Sequence, residues 1–247
     1  MLENLPKSAY FHCKKFKVRH DIAALKVTTE ALVFGGFLAN NPTENKLLLE
    51  IGTGCGILPL MIAQKNESSI HSVEIDENAF ELAFENVQNS IFKHQIGVFH
   101  VDIQLFSPDT GVGEPEKYDL IFSNPPFFQN HLKGKSDLKN LAKHNDSLPF
   151  HVLAHQVKRF LNHEGSFWVL LPPFELSLLE KHLNEIGLVK TQEIYIQQQQ
   201  KSKVLRIIAT FAFVETPYSK MIFSIKNHKN EYSNQFKALL KDYYLIF

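Results

Sequence analysis

Residues 123–128 read Ser123-Asn124-Pro125-Pro126-Phe127-Phe128 and follow directly on the apolar run Tyr118–Ser123. Two consecutive prolines stiffen the chain and remove two backbone donors. The groups left to act are the Asn124 amide, bare carbonyls and an aromatic ring. That set suits a planar substrate carrying an –NH2 group. The Asn124 side-chain oxygen and the Pro125 carbonyl can accept its two hydrogens, drawing the nitrogen lone pair out of conjugation. Phe127 can stack on the ring, and Phe128 is a second candidate for the same contact. Such a site needs no strong general base, because its catalysis is orientation and hydrogen-bond polarisation. An isolated Asn-Pro-Pro is more often a turn ending a strand, so the reading depends on what the rest of the chain places beside it.

A second constellation lies upstream, where residues 50–56 read Glu50-Ile51-Gly52-Thr53-Gly54-Cys55-Gly56 after one apolar run and before another. The glycines permit a tight strand-to-helix turn and a close backbone approach to a ligand. A dinucleotide fingerprint would place its third glycine where Ile57 stands. The spacing resembles instead the first motif of class I S-adenosylmethionine methyltransferases. Glu74, inside the run Ile70–Ile75, lies where an acid accepts hydrogen bonds from ribose hydroxyls in related nucleotide folds. Its neighbours Asp76 and Glu77 read as a helix cap and a first-turn acid. Asp102 follows the run Ile96–Val101 and could bond the amine of an adenine ring. With a methyl sulfonium bound above the glycine loop, the lone pair exposed at Asn124 would have its electrophile.

In that setting the second motif resembles the N-P-P-[FY] signature of methyltransferases that act on planar nitrogen, on adenine-N6, guanine-N2 or glutamine amides. Three more segments extend the likeness. They are Phe11-His12-Cys13-Lys14-Lys15-Phe16-Lys17-Val18, Lys26-Val27-Thr28-Thr29-Glu30-Ala31, and the tail Tyr232-Ser233-Asn234-Gln235-Phe236-Lys237-Ala238-Leu239-Leu240-Lys241-Asp242-Tyr243-Tyr244-Leu245. Over essentially its whole length the chain resembles the bacterial tRNA1(Val) adenine-37 N6-methyltransferase family. The resemblance implies a class I (Rossmann-like) methyltransferase fold, S-adenosylmethionine as methyl donor with S-adenosylhomocysteine as product, and tRNA as substrate. It assigns Asn124, Pro125, Pro126 and Phe127 to catalysis. It assigns Glu50, Gly52, Gly54, Glu74, Asp102 and Asn124 to the donor. Lys26, Thr29 and Glu30 match a motif beside the donor's methionine end, with Thr28 and Glu30 standing where the family pattern has Gly and Asp. A ribosomal-RNA adenine-N6 or guanine-N2 methyltransferase is the alternative. A glutamine-amide enzyme would carry a helical domain ahead of the glycine loop, where only about 45 basic, strand-like residues stand. A non-catalytic RNA-binding module would have little need of both motifs.

The elements that must position these residues follow from the alternation of apolar runs with helix-period segments after residue 46. Strands are expected at 46–51, 70–75, 96–101, 118–123 and 166–171, with helices at 57–65, 78–89, 149–161 and 175–186. The runs 189–197 and 204–214 should close the sheet as an antiparallel hairpin at one edge. Strands alternating with helices mean βαβ units, hence a mainly parallel sheet, seven-stranded in the class I arrangement, with helices on both faces. The chain divides into a basic extension 1–45, a core 46–214 and a tail 215–247, all in one domain. In the tail, Tyr232, Phe236, Leu239, Leu240 and Tyr243 form a helical stripe expected to pack on the core. Residues 130–147 read as a long functional loop behind the Asn-Pro-Pro motif.

Charge is segregated. The chain holds 26 Lys+Arg and 26 Asp+Glu, yet residues 46–119 hold four cations against twelve acids, while residues 190–247 hold nine against four. Neutrality therefore does not exclude RNA but confines it to one face. Lys14, Lys15, Lys17 and Arg19 are candidate phosphate contacts. Twelve histidines and two cysteines show no metal-ligand spacing and no disulfide framework, so no metal is expected. Cys55 reads as a space-filler and Trp168 as packing. With no apolar run of membrane-spanning length and no basic-then-apolar leader, the expectation is a cytoplasmic protein with no membrane association and no obligate protein partner.

Overall fold

Each expected strand forms, and the sheet is built around the two motifs. The structure, a computed structural model, describes residues 9–21, 26–41, 46–108, 116–126 and 148–247. A short antiparallel hairpin, β1 (Tyr10–His12) and β2 (Lys17–Arg19), precedes α1 (Thr29–Ala39). The core follows as β3 (Leu47–Ile51), α2 (Ile57–Ala63), β4 (Ser69–Glu74), α3 (Glu77–Gln88), β5 (Ile96–His100) and β6 (Tyr118–Ser123). Then come α4 (Phe150–Phe160), β7 (Leu161–Leu171), α5 (Pro173–Glu185), β8 (Val189–Gln199), β9 (Val204–Ala212), β10 (Ser219–Lys226) and α6 (Asn234–Leu240).

The main sheet has the order β10-β8-β9-β7-β6-β3-β4-β5. Among its described strands, only the pairings of β9 with β7 and with β8 are antiparallel. Two expectations need correction here. Among the described residues the sheet has eight strands rather than seven, and the β8–β9 hairpin is internal, because β10 adds parallel to the outer side of β8. Residues 215–247 read as a tail because an edge strand covered on one face is only half apolar. In β10 the core-facing positions are Met221, Phe223 and Ile225, at period two, while Ile222 points out and is exposed.

Both sheet faces are covered. Leu48, Ile70, Leu120 and Phe122 face α1, α2 and α6, while Leu49, Val73, Ile121 and Phe167 face α4 and α5. The apolar run of β3 is continuous because both of its faces are buried. Helix α1 is apolar on nearly every side and packs between α2 and α6. Its approach to α6 is close enough that a Cβ at Gly36 would stand 2.8 Å from Leu239 Cγ.

The tail packs as its stripe requires. Phe236, Leu240 and Tyr243 are wholly buried, and the Tyr243 hydroxyl donates to the Met61 carbonyl at 2.8 Å. Lys65 pairs with Asp242, and Lys14 Nζ donates to the carbonyls of Lys241 and Phe247 at 2.7 and 2.8 Å. Tail and N-terminal segment thereby clasp α2. Phe236→Ala should cost about 3–5 kcal/mol of stability, and Tyr243→Phe about 1 kcal/mol, both read as shifts in the urea midpoint. Among the described residues no helix is long and apolar enough to cross a membrane.

Candidate active site

The C-terminal ends of β3, β4 and β6 lie side by side, and loop hydrogen bonds fasten them together. Gly52, Gly54 and Gly56 have φ of 78°, 58° and 77°, the left-handed region that glycine enters without strain. A Cβ on Gly52 or Gly54 would point into open space, so it is backbone conformation that calls for glycine at both, and the loop presents bare main chain outward. The Gly52 and Thr53 amides donate to the Val73 carbonyl at 2.9 and 3.2 Å, holding the turn on β4.

Glu74 is the keystone of this turn. One carboxylate oxygen accepts the Gly54 amide at 2.8 Å, and the other accepts the amides of Ile75 and Asp76 at 2.9 and 3.1 Å. Three N–H groups converge on one nearly buried carboxylate, which is how a charge at a strand end is kept there. The β5 end joins it, because the Val101 amide donates to the Glu74 carbonyl at 2.9 Å. Asp102 follows half-buried, its carboxylate taken by the Gln104 backbone and side-chain amides at 2.9 and 3.1 Å. Between these acids Ile75 is 58% exposed, an apolar surface that the sequence reading passed over because it counted Ile75 into the strand. Asp76 caps α3 by accepting the Ala79 amide at 2.8 Å, as expected.

Glu50 sits below the loop rather than in its mouth. Its side chain is wholly buried, with one oxygen accepting the Ser72 hydroxyl at 3.0 Å. The Thr53 hydroxyl is close enough to favour the charged form. Yet neither Thr53 Oγ1 nor Glu50 Oε1 has a partner in hydrogen-bonding geometry among the described residues. Burial, reinforced by the neighbouring Glu74, pushes the Glu50 carboxyl up to about 8 from the ordinary 4.5. The folded chain therefore keeps a proton that the unfolded chain gives up. Glu50's contribution to stability should decline as pH rises from 4.5 to 8 and level off above. Glu50→Gln should flatten that decline, read as the pH dependence of the urea midpoint. Burial also raises the Cys55 thiol to about 12, which suits a space-filler and not a nucleophile.

Asn124 leaves β6 half-buried, followed by a buried Pro125 and an exposed Pro126. Ser123, just before it, donates its hydroxyl to the Ile51 carbonyl at 2.7 Å and so fixes the motif to the last residue of β3, from which the glycine turn leaves. The Asn124 carboxamide has no hydrogen-bond partner among the described residues. Phe127 and Phe128 lie outside the described residues, as does the long loop expected at 130–147.

At the other side of the loop, α1 begins with Thr29. Thr28 caps it by accepting the Ala31 amide at 3.2 Å, a role open to its hydroxyl in place of the family's glycine. Thr29 and Glu30 are half-buried, and Lys26 is exposed. The basic candidates separate. Lys14 is occupied with the tail carbonyls, and Arg19 is paired with Glu85 at 2.5 Å and Asp21 at 2.9 Å. Lys17 lies 4.9 Å from the Tyr10 ring centre, and Lys15 is exposed. Asn86 was missed by sequence reading. Its amide donates to the carbonyls of Cys55 and Arg19, both at 2.9 Å, and it accepts the Arg19 amide at 2.8 Å. One buried side chain thus ties the hairpin to the glycine loop. A lone Asn in a helix gives no local signal of contacts this distant in sequence.

Residues 30–198 match the family model of the Methyltransferase small domain. A tRNA1(Val) (adenine(37)-N6)-methyltransferase of Dyadobacter fermentans is 35% identical over 98% of this chain and 100% of its own. The chain belongs to the tRNA1(Val) (adenine(37)-N6)-methyltransferase family. A relative bearing the same name in Pseudoalteromonas translucida is 33% identical over 95% of this chain and 98% of its own. Among solved structures, a predicted O-methyltransferase from Agrobacterium tumefaciens superposes with a TM-score of 0.61 at 14% identity. It covers 84% of this chain and 95% of that one, a likeness of fold.

This methyltransferase family and fold imply S-adenosylmethionine, and the residues present fit it. Bare left-handed backbone at Gly52 and Gly54 leaves room against the loop, Glu74 stands at its rim, and the exposed Ile75 offers an apolar face beside Asp102. Among the described residues no cluster of three His, Cys, Asp or Glu could hold a metal.

Proposed function

We propose that the chain methylates the exocyclic N6 amine of an adenine in tRNA, adenine 37 of a valine tRNA. S-adenosylmethionine, when bound, supplies a methyl group on a positively charged sulfur and departs as S-adenosylhomocysteine. Gly52, Gly54, Glu74 and Asp102 would hold it, with Lys26, Thr29 and Glu30 at the start of α1 bordering its amino-acid end. Asn124 Oδ1 and the Pro125 carbonyl each take one hydrogen of the adenine amine. With both hydrogens held, the nitrogen lone pair is turned out of the ring plane and becomes nucleophilic. After transfer the nitrogen proton passes to those acceptors or to water. Phe127 and Phe128 would stack on the extruded base. Lys15 and Lys17 remain available to phosphate on the hairpin side.

The observation that carries this reading is the Ser123–Ile51 hydrogen bond, which joins the amine-recognising motif to the glycine turn with the Asn124 amide unspent. The experiment supplies labelled S-adenosylmethionine and tRNA from cells lacking the modification, then resolves the product nucleosides. Label in N6-methyladenosine supports the reading. Label in methylguanosine, in protein, or only in ribosomal RNA supplied in a parallel reaction would replace it with one of the alternatives.

A further inference from the structure

Strand register shows that the far half of the sheet overshoots the catalytic motif. Ser123 stands level with Val169 on β7, which is level with Ala209 on β9, Glu193 on β8 and Lys220 on β10. Since β8 and β10 run in the same direction as β6, they continue past that level toward the Asn124 end. Strand β8 goes on to Gln199 and β10 to Lys226. Six residues at a strand's rise make an overhang of about 20 Å. The twist accumulated over the intervening strands sets it as a flank beside the mouth rather than a lid over it.

The overhang is basic. Its two loops carry Lys201, Lys203 and Lys229, with Lys226 at the end of β10 and His228 exposed beside it. Among the described residues none of these four lysines forms an ion pair. The nearby carboxylate in sequence, Glu231, accepts from the Asn227 amide side chain at 3.1 Å. Of the other acids in the C-terminal part, Glu193 is paired with Lys190 and Asp242 with Lys65, while Glu215 and Glu231 have no basic partner among the ion pairs of the described residues.

Both loops are built rather than loose. The Ser202 hydroxyl donates to the Gln199 carbonyl at 2.8 Å and accepts the Gln199 amide at 3.1 Å. Asn227 Oδ1 accepts the amides of Lys229 and Glu231 at 2.9 and 3.1 Å, and Gln199 Nε2 reaches the Asn227 carbonyl at 3.4 Å, joining the two turns. Beside the second turn lies an open depression of about 670 Å³, lined by Lys226, Glu231, Tyr232, Lys237 and Phe247 among others. Cations beside aromatic rings are the chemistry of nucleic-acid backbones and their bases.

The geometry points to this overhang, with Lys201, Lys203, Lys226 and Lys229 at its edge, as the surface that holds the phosphate backbone of the tRNA flanking the target adenine. It rests on the tRNA reading above and gives that substrate a docking face the hairpin alone does not supply. Rigid turns carrying ammonium groups with no carboxylate partner among the described residues, Lys226 Nζ donating only to Asn230 Oδ1 at 3.0 Å, position the RNA by charge beside the mouth, while Asn124 reads the base.

The test uses the full chain with all four lysines changed to alanine, and a second variant with Lys201→Glu and Lys229→Glu. Binding of unmodified tRNA is measured across a salt series, with S-adenosylmethionine affinity measured by calorimetry. Affinity for tRNA should fall at least about tenfold at near-physiological salt, and the log–log salt slope should flatten by about 2–4, since each phosphate contact contributes about 0.7–0.9. Donor affinity should stay within about twofold, which shows the fold intact. A control pair at the opposite end of the sheet, Lys93→Ala with Lys158→Ala, should bind tRNA as the unaltered chain does. If the unaltered chain methylates tRNA and the quadruple variant binds it with the same affinity and slope, the docking face is wrong while the function stands. If the unaltered chain neither binds nor methylates tRNA, the functional reading fails and takes the docking face with it.

Discussion

Asn124→Ala should lower the rate of methyl transfer to tRNA by about two to three orders of magnitude, the loss typical when one preorganised hydrogen-bonding group is removed from a developing charge. Donor affinity should change by less than about threefold, because the glycine turn keeps its own fastenings to Val73 and Glu74. The reason for so large a kinetic effect is that Asn124 spends its amide on no described neighbour. The loss therefore falls on the substrate amine and not on the fold. Asn124→Asp keeps an acceptor at the same place and should lose less than the alanine variant. A fall in thermal stability matching the fall in rate would mean that Asn124 is structural, and an unchanged rate would remove it from the chemistry.

Glu74→Ala should be the most damaging change on the donor side. It leaves the amides of Gly54, Ile75 and Asp76 without their acceptor. Hydrogen bonds to a charged group contribute about 1.5–3 kcal/mol each, and part of that loss appears as a slack glycine turn. The expected result is a drop of about a hundredfold in affinity for S-adenosylmethionine, with a stability loss of about 2–4 kcal/mol. Glu74→Gln separates shape from charge. Its single carbonyl can serve Gly54 or the Ile75–Asp76 pair but not both, and its NH2 must then face a donor. It should therefore bind the donor more weakly than the parent while folding better than the alanine variant. Equal donor binding by Glu74→Gln and the parent would show that the three-amide arrangement is dispensable.

What could be read from the sequence was local. The glycine turn and Asn-Pro-Pro each lie within seven consecutive residues, and their neighbours on the strands are apolar runs that have to be buried. The tail stripe was legible for the same reason, and Phe236, Leu240 and Tyr243 are buried as it requires. Strand β10 was not, because an edge strand needs only Met221, Phe223 and Ile225 facing inward and leaves Lys220 and Ile222 outside. Partner choice was not legible either. Nothing near Arg19 in sequence announces Glu85, nothing near Lys14 announces the Lys241 carbonyl, and nothing near Asn86 announces Cys55. Those bonds belong to tertiary packing, and they moved two of the expected RNA contacts into the framework. The overhang emerged only from register, since four lysines spread over about 30 residues carry no pattern until β8 and β10 are laid side by side.

The central claim is that one adenine amine, held at Asn124, takes the methyl group. It is tested most directly with two valine tRNA transcripts, one with adenine at position 37 and one with guanine there, each incubated with excess enzyme and labelled S-adenosylmethionine. The account predicts close to one methyl group per adenine-37 transcript, recovered as N6-methyladenosine, and none on the guanine-37 transcript. Equal labelling of both transcripts, or label recovered in any other nucleoside, would contradict it.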